Sequence, residues 1–307
     1  MEDGMLKTKK LRIDYFQVMN LSEKEVNDEK FIKEENIDLS GAFKKLADLL
    51  PQERQITDKD GELIRVQIIK EKNTKIKQET GEIEYKYWEL QILKGRNTSL
   101  PGLATSSGQF VPIEINNGDT VSEDISVLYD PQKFIFFIHR KKEGLTPRGI
   151  EKFLNKILEK NNFNIILKAI ISENDLNKIL KEGRYKNLEL TILEDKKENN
   201  NSLQDVLNDN AIFGAHSINI VFSLGRGAKK EDCFNNIKLS DLLQKILGKS
   251  TTTKARLKPK DSRGEEYDLI KERKHEIINL AYDEKNPISH SRVFAEMEAI
   301  YFQKINK

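Results

Sequence analysis

Val127-Leu-Tyr-Asp-Pro131, continuing through Gln132 into Lys133-Phe-Ile-Phe-Phe-Ile-His139, carries a short apolar piece, a turn and then a second apolar run of strand length. The second run is short enough for a buried strand and far too short to span a membrane. Thr146-Pro147 then makes a helix entrance, because threonine caps and proline at the first helical position loses no hydrogen bond. Ile150, Phe153, Leu154, Ile157 and Leu158 supply the apolar stripe of that helix. A turn, a buried strand and a capped helix in this order predict an α+β chain.

Downstream the same rhythm continues. Phe163–Ile171, Asn187–Leu193, His216–Leu224 and Thr253–Lys258 read as strands. Leu176–Leu180, Ser202–Leu207, Leu239–Leu247 and Ser291–Phe302 read as helices between or after them. Upstream the pattern is richer in strand. Leu11–Met19 alternates apolar and polar residues, and Asp38–Leu50 switches to helical spacing before Pro51 ends it. Gly61–Ile69 and Ile83–Leu93 form a predicted strand pair carrying the only tryptophan, Trp88, and the polar Lys70–Gly81 between them reads as a solvated hairpin loop. The expectation is a β-rich N-terminal domain with one helix over residues 1–125. An α+β domain of alternating strand-helix units with mixed sheets follows over residues 126–307.

Composition narrows the function classes. Among 307 residues, 52 Lys+Arg against 50 Asp+Glu leave a formal charge of +2, and 37% are hydrophobic. Ile, Leu and Phe still recur in periodic blocks, so a packed core is expected and a disordered chain is excluded. No apolar run suits a membrane span or a secretory signal, and the single Cys233 forms no internal disulfide. The expected compartment is the bacterial cytoplasm.

Three basic segments are candidate contacts for DNA or RNA. Ser223-Leu-Gly-Arg226-Gly-Ala-Lys229-Lys230 follows a strand, and its glycines let amides turn toward an anion while the cations attract phosphate. Lys254, Arg256, Lys258 and Lys260 recur at every second position, which puts four positive side chains on one face of an extended segment. Arg140 and Arg148 flank a helix N-terminus, where unpaired amides favour anions. Each segment also fits ordinary solvated surface, and lysines on edge strands protect sheets from aggregation.

For catalysis, Glu82, Glu84 and Lys86 on a predicted strand offer the residue types of a nuclease that holds Mg2+ and orients water. His139, His216, His275 and His290 are scattered without metal-ligand spacing, and no nucleophile elbow is present. No metal or other cofactor is therefore expected outside the nuclease alternative.

Several phrases taken together resemble an uncharacterised family of bacterial proteins associated with phage defence or mobile elements. They are Tyr87-Trp-Glu-Leu-Gln-Ile-Leu-Lys-Gly-Arg96 with Leu100-Pro-Gly102, Leu128-Tyr-Asp-Pro131, Gly144-Leu-Thr-Pro-Arg-Gly-Ile-Glu-Lys-Phe-Leu154 and Glu266-Tyr-Asp-Leu-Ile270. The likeness runs from about Leu11 to Ile300 and its motifs are turns, caps and bends. It implies a part in recognising foreign nucleic acid and transfers no active site. The expected function is thus a nucleic-acid- or partner-binding component of an anti-phage system. A metal-dependent nuclease and a non-catalytic structural subunit or homo-oligomer are the alternatives.

Overall fold

The computed structural model describes residues 7–26, 29–78, 81–96, 102–104, 106–116, 119–171, 176, 179–181, 183–193, 217–225, 229, 232–247, 252–259, 266–270, 273–282 and 288–305. The fold is α+β, with a β-rich N-terminal region followed by helices interspersed with strands. Two compact units form. One comprises Met1–Asp14, Ile37–Ile165 and Glu276–Lys307, the other Tyr15–Asn36 and Ile166–His275.

The first unit is organised on antiparallel strands in the order β9 (Ile135–Arg140), β8 (Ser122–Asp130), β5 (Gly81–Gly95), β4 (Leu63–Gln78) and β3 (Gln55–Thr57). Register places Trp88 opposite Tyr129 and Leu90 opposite Val127, and Val127 opposite Ile138. Because side chains alternate along a strand, these residues share one face. Helix α1 (Ser40–Ala47) drives Phe43 into that face. There the Phe43 ring meets Trp88 edge-on at 5.7 Å, Tyr129 edge-on at 5.4 Å and Phe136 in a stack at 6.4 Å. Helix α2 (Pro147–Ile157) begins where expected, with the Thr146 hydroxyl accepting from the Gly149 amide. Its Ile150, Phe153 and Leu154 are buried. The opposite face of β5, β8 and β9 carries polar residues and lies under helix α4 (His290–Ile305).

The stretch Lys70–Gly81 is not the solvated loop that its charge suggests. β4 continues to Gln78 and β5 starts at Gly81, in register Lys72↔Tyr87, Lys75↔Glu84 and Ile76↔Ile83. Ile76 anchors this extension by being buried. Around it Asn73 Nδ2 donates to Glu84 at 2.5 Å and Lys75 stands 3.9 Å from Glu82. Opposite charges across an antiparallel pair stabilise strands that have few apolar residues.

In the second unit, the second half of β1 (Lys7–Val26) forms a hairpin with β2 (Glu29–Asn36), from Met19↔Asn36 to Val26↔Glu29. A separate sheet runs β12 (Ser217–Ser223), β11 (Tyr185–Leu193), β13 (Thr252–Pro259) and β14 (Tyr267–Asp268). Helix α3 (Asn236–Leu247) covers one side with Leu239, Leu243, Ile246 and Leu247, against Leu188, Leu190, Ala255 and Leu257. Asn235 starts this helix by accepting from the Ile237 and Lys238 amides at 3.0 and 3.1 Å. The helix expected at Ser202–Leu207 lies outside the described residues. Among the described residues no helix is long and apolar enough to cross a membrane.

Phe43→Ala removes the ring on which Trp88, Tyr129 and Phe136 converge, and the expected loss of stability is about 3–5 kcal/mol. Thr146→Ala, which removes one cap, is expected to cost only about 1 kcal/mol. Urea unfolding of both variants checks the order, and equal losses would contradict it.

Candidate functional site

The polar face of the first sheet is built by alternation in three strands. Tyr85, Tyr87, Glu89 and Gln91 come from β5, Asp124, Ser126 and Asp130 from β8, and His139 from β9. Glu89, Gln91 and Ser126 each sit between residues that point into the apolar core. Helix α4 lays His290, Val293, Phe294, Met297, Glu298, Tyr301 and Phe302 over this face at helical spacing. Buried polar groups in such a layer need partners.

Asp130 is fully buried and accepts four hydrogen bonds. Tyr85 and Tyr301 donate their hydroxyls to Oδ2 at 2.5 and 2.7 Å, while the Gln132 and Lys133 amides donate to Oδ1 at 2.8 and 3.1 Å. Burial, reinforced by the Asp130 carboxylate, pushes the Tyr85 hydroxyl up so that it stays a donor. Further along, Tyr87 donates to Glu298, and Lys72 lies 3.2 Å from Glu298 and 3.6 Å from Glu89. The Lys72 ammonium also sits over the Phe294 ring at 4.9 Å.

Glu89 leads to a Ser-His-Glu trio. His290 Nε2 is 2.9 Å from Glu89 Oε1, and its Nδ1 is 2.7 Å from the Ser126 hydroxyl. The hydrogen bond from His290 holds the Glu89 carboxyl below the usual range, against the opposing effect of burial. These are the residue types of an acyl-transfer triad. Ser126, however, is only 1% exposed, so no scissile carbonyl reaches its oxygen while α4 is seated. The trio fastens α4 to β5 and β8.

Beyond Ser126 the polar face opens into a cleft of about 520 Å3 whose wall includes Lys9, Asp124, His139 and Lys141. Burial pushes Asp124 up, but hydrogen bonds from Lys141 and from Gln91 at 3.0 Å outweigh it and hold the carboxyl below its ordinary range. His139 is 2% exposed, and its Nε2 has no hydrogen-bond partner among the described residues. Burial, helped by the Lys141 charge, pushes this imidazole down to about 4, with Asp124 pulling the other way.

The basic residues expected to form a contact surface are placed as follows. Lys254, Arg256 and Lys258 do share one face of β13, opposite the buried Ala255 and Leu257. Each meets a carboxylate: Lys254 with Glu189 at 2.5 Å, Arg256 with Glu266 at 3.5 Å and Lys258 with Glu266 at 2.6 Å. Arg140 lies 3.6 Å from Asp14, and Arg148 is half-buried in the first turn of α2. Lys229 is exposed next to a turn closed by its amide on Asp232 at 2.7 Å. Arg226, Lys230 and Lys260 lie outside the described residues. Glu82, Glu84 and Lys86 are exposed on one face of β5, with Glu82 and Glu84 engaged by Lys75 and Asn73. Among the described residues there is no group of three or more His, Cys, Asp or Glu arranged to hold a metal ion.

Sequence reading missed Glu89, Asp124, Ser126, His139 and His290 as a group. Polar residues inside strands as apolar as 125–130 and 87–92 announce buried partners, but pattern alone does not name them.

The chain belongs to a family of unknown function, DUF6731, whose model matches residues 6–307. An uncharacterised family covering nearly the whole chain is thus established. No curated protein matches the sequence.

The buried imidazole sets a pH dependence. His139 titrates near 4 when folded and near 6.5 when unfolded, so between these values the unfolded chain binds more protons and stability rises with pH. Stability is expected to fall by roughly 3 kcal/mol as pH drops from about 6.5 to 4. The depressed Glu89 and Asp124 add their loss as pH falls through their ordinary values of 4.5 and 3.8. Urea midpoints across pH 4–7 for wild type and His139→Asn check this, and the variant is expected to show a flatter profile.

Proposed function

We propose that this chain is a non-catalytic binding component of a bacterial anti-phage system, acting in the cytoplasm, whose polar β11–β13 face meets a protein partner. The defence setting rests on the family likeness carried by Tyr87–Arg96, Leu128–Pro131 and Gly144–Leu154. The observation that carries the binding reading is the row Lys254, Arg256 and Lys258, set against Glu189 and Glu266 on one sheet face. Matched charges leave little positive potential for a bare polyanion, which would first have to displace two carboxylates. A protein surface of alternating sign exchanges these pairs without that loss, and such complementarity gives specificity. Val221, opposite Glu189 and 58% exposed, adds an apolar contact on the same face.

Nucleic acid is the second reading. It is favoured by the cations recurring along an extended strand at intervals of about 7 Å, a line that suits a phosphate backbone.

Arg256→Glu combined with Lys258→Glu separates the two readings. Quantitative cross-linking in the source cells is expected to recover a defined partner with the wild type and at least tenfold less with the variant, with the circular dichroism unchanged. Equal recovery would overturn the protein-partner reading. Binding to DNA or RNA with a log K against log salt slope of about −2 to −3, lost in the variant, would replace it with the nucleic-acid reading.

A further inference from the structure

We propose that the cleft bounded by β1, β8, β9 and the start of α4 binds a phosphate monoester of about nucleotide size. This site is independent of the β13 face.

The cleft is built rather than incidental. Its volume of about 520 Å3 falls in the range of small-molecule sites. Among the described residues Lys9 and Lys141 stand in the wall with Asp124; Lys141 already meets that carboxylate, so the remaining positive charge is that of Lys9. Asp124 is itself fixed by Lys141 and Gln91, and Glu123 stands 4.0 Å from Lys141 on the outer side. Val293, in the first turn of α4, lines the cleft, and this turn contains no acidic residue. The positive end of the helix dipole therefore adds to the attraction for an anion. The independent observation is His139, buried in the same wall with Nε2 unpaired among the described residues. Burying an unpaired polar atom costs stability, and an oxygen-rich ligand reached by a small local shift removes that cost.

The ligand class follows from the groups present. Among the described residues the cations on the cleft wall are both lysines. Lysine acts as a point charge and suits the more highly charged phosphate. Leu11, Ile288 and Val293 face the remaining volume, so the phosphate must carry an organic body with apolar surface.

The test uses the full chain and a panel of phosphate monoesters: adenosine 5′-monophosphate, glucose 6-phosphate and phosphoserine. Adenosine and inorganic phosphate serve as the body-only and phosphate-only controls. At ten times its Kd, at least one panel member is expected to raise Tm by about 3 °C, with both controls weaker. Only four histidines are present, so ring NMR signals locate the site, and His139 is expected to shift on binding. Lys9 is exposed, and Lys9→Glu is expected to weaken binding at least tenfold while the Tm of the free protein stays the same. The proposal is overturned if no panel member changes Tm at 5 mM, if adenosine binds as well as its phosphate, if His139 stays unmoved, or if Lys9→Glu binds equally.

Discussion

A carboxylate with no access to water, Asp130, is the constraint on which the first unit depends. Taking a charged group out of water costs several kcal/mol even after relaxation, unless hydrogen bonds replace its hydration. Here four donors do so, two phenols and two turn amides. They come from β5, from α4 and from the connection between β8 and β9, so three elements separated in sequence must meet within hydrogen-bond distance of one side chain. The same Asp130 closes the tight turn in which Phe134 takes a left-handed φ of 55°, a conformation that a bulky residue keeps only when its surroundings enforce it.

This polar layer makes the two faces of one sheet behave differently. Phe43, Trp88, Tyr129 and Phe136 fill theirs by ring packing, with α1 tied at its start by Trp88 Nε1 donating to the Ser40 hydroxyl at 3.3 Å and the Tyr129 hydroxyl accepting from the Leu39 amide at 3.0 Å. Helix α4 is held by directional bonds from Tyr301 to Asp130, from Tyr87 and Lys72 to Glu298, from His290 to Glu89, and between His290 and Ser126. Such bonds fix both the rotation and the axial position of the helix. The position of Val293, and with it one wall of the cleft, is set by His290 three residues earlier.

Much of the fold was legible because local physics determines it. The Thr146-Pro147 entrance, the α1 stripe around Phe43 and the strand after Pro131 follow from capping and periodicity. The β4–β5 extension was not legible, since Lys70–Gln78 holds few apolar residues and its support comes from partners such as Glu84 and Glu89 on the next strand. The site was hidden for the same reason on a longer scale. Ser126 and His290 are 164 residues apart, and Glu89 and His290 are 201 apart; no spacing rule reaches that far. Only the oddity of Glu89 beside Trp88, in a strand buried on both sides, marked the place.

The basic runs carry the complementary lesson. Lys254, Arg256 and Lys258 look like an electropositive stripe when read along one strand, and alternation does place them on one face. A sheet face, however, is assembled sideways, and its charge is the sum over neighbouring strands. Glu189 on β11 and Glu266 beside β14 enter that sum only once register is known. The whole-chain balance of 52 basic against 50 acidic residues was therefore a better guide to this surface than the local run. In a chain where a third of all residues are charged and the signs nearly cancel, a run of one sign on one strand will usually face the other sign on the next. In such a chain, free positive potential has to come from helix ends and from cations without a facing carboxylate, rather than from the density of lysine in the sequence.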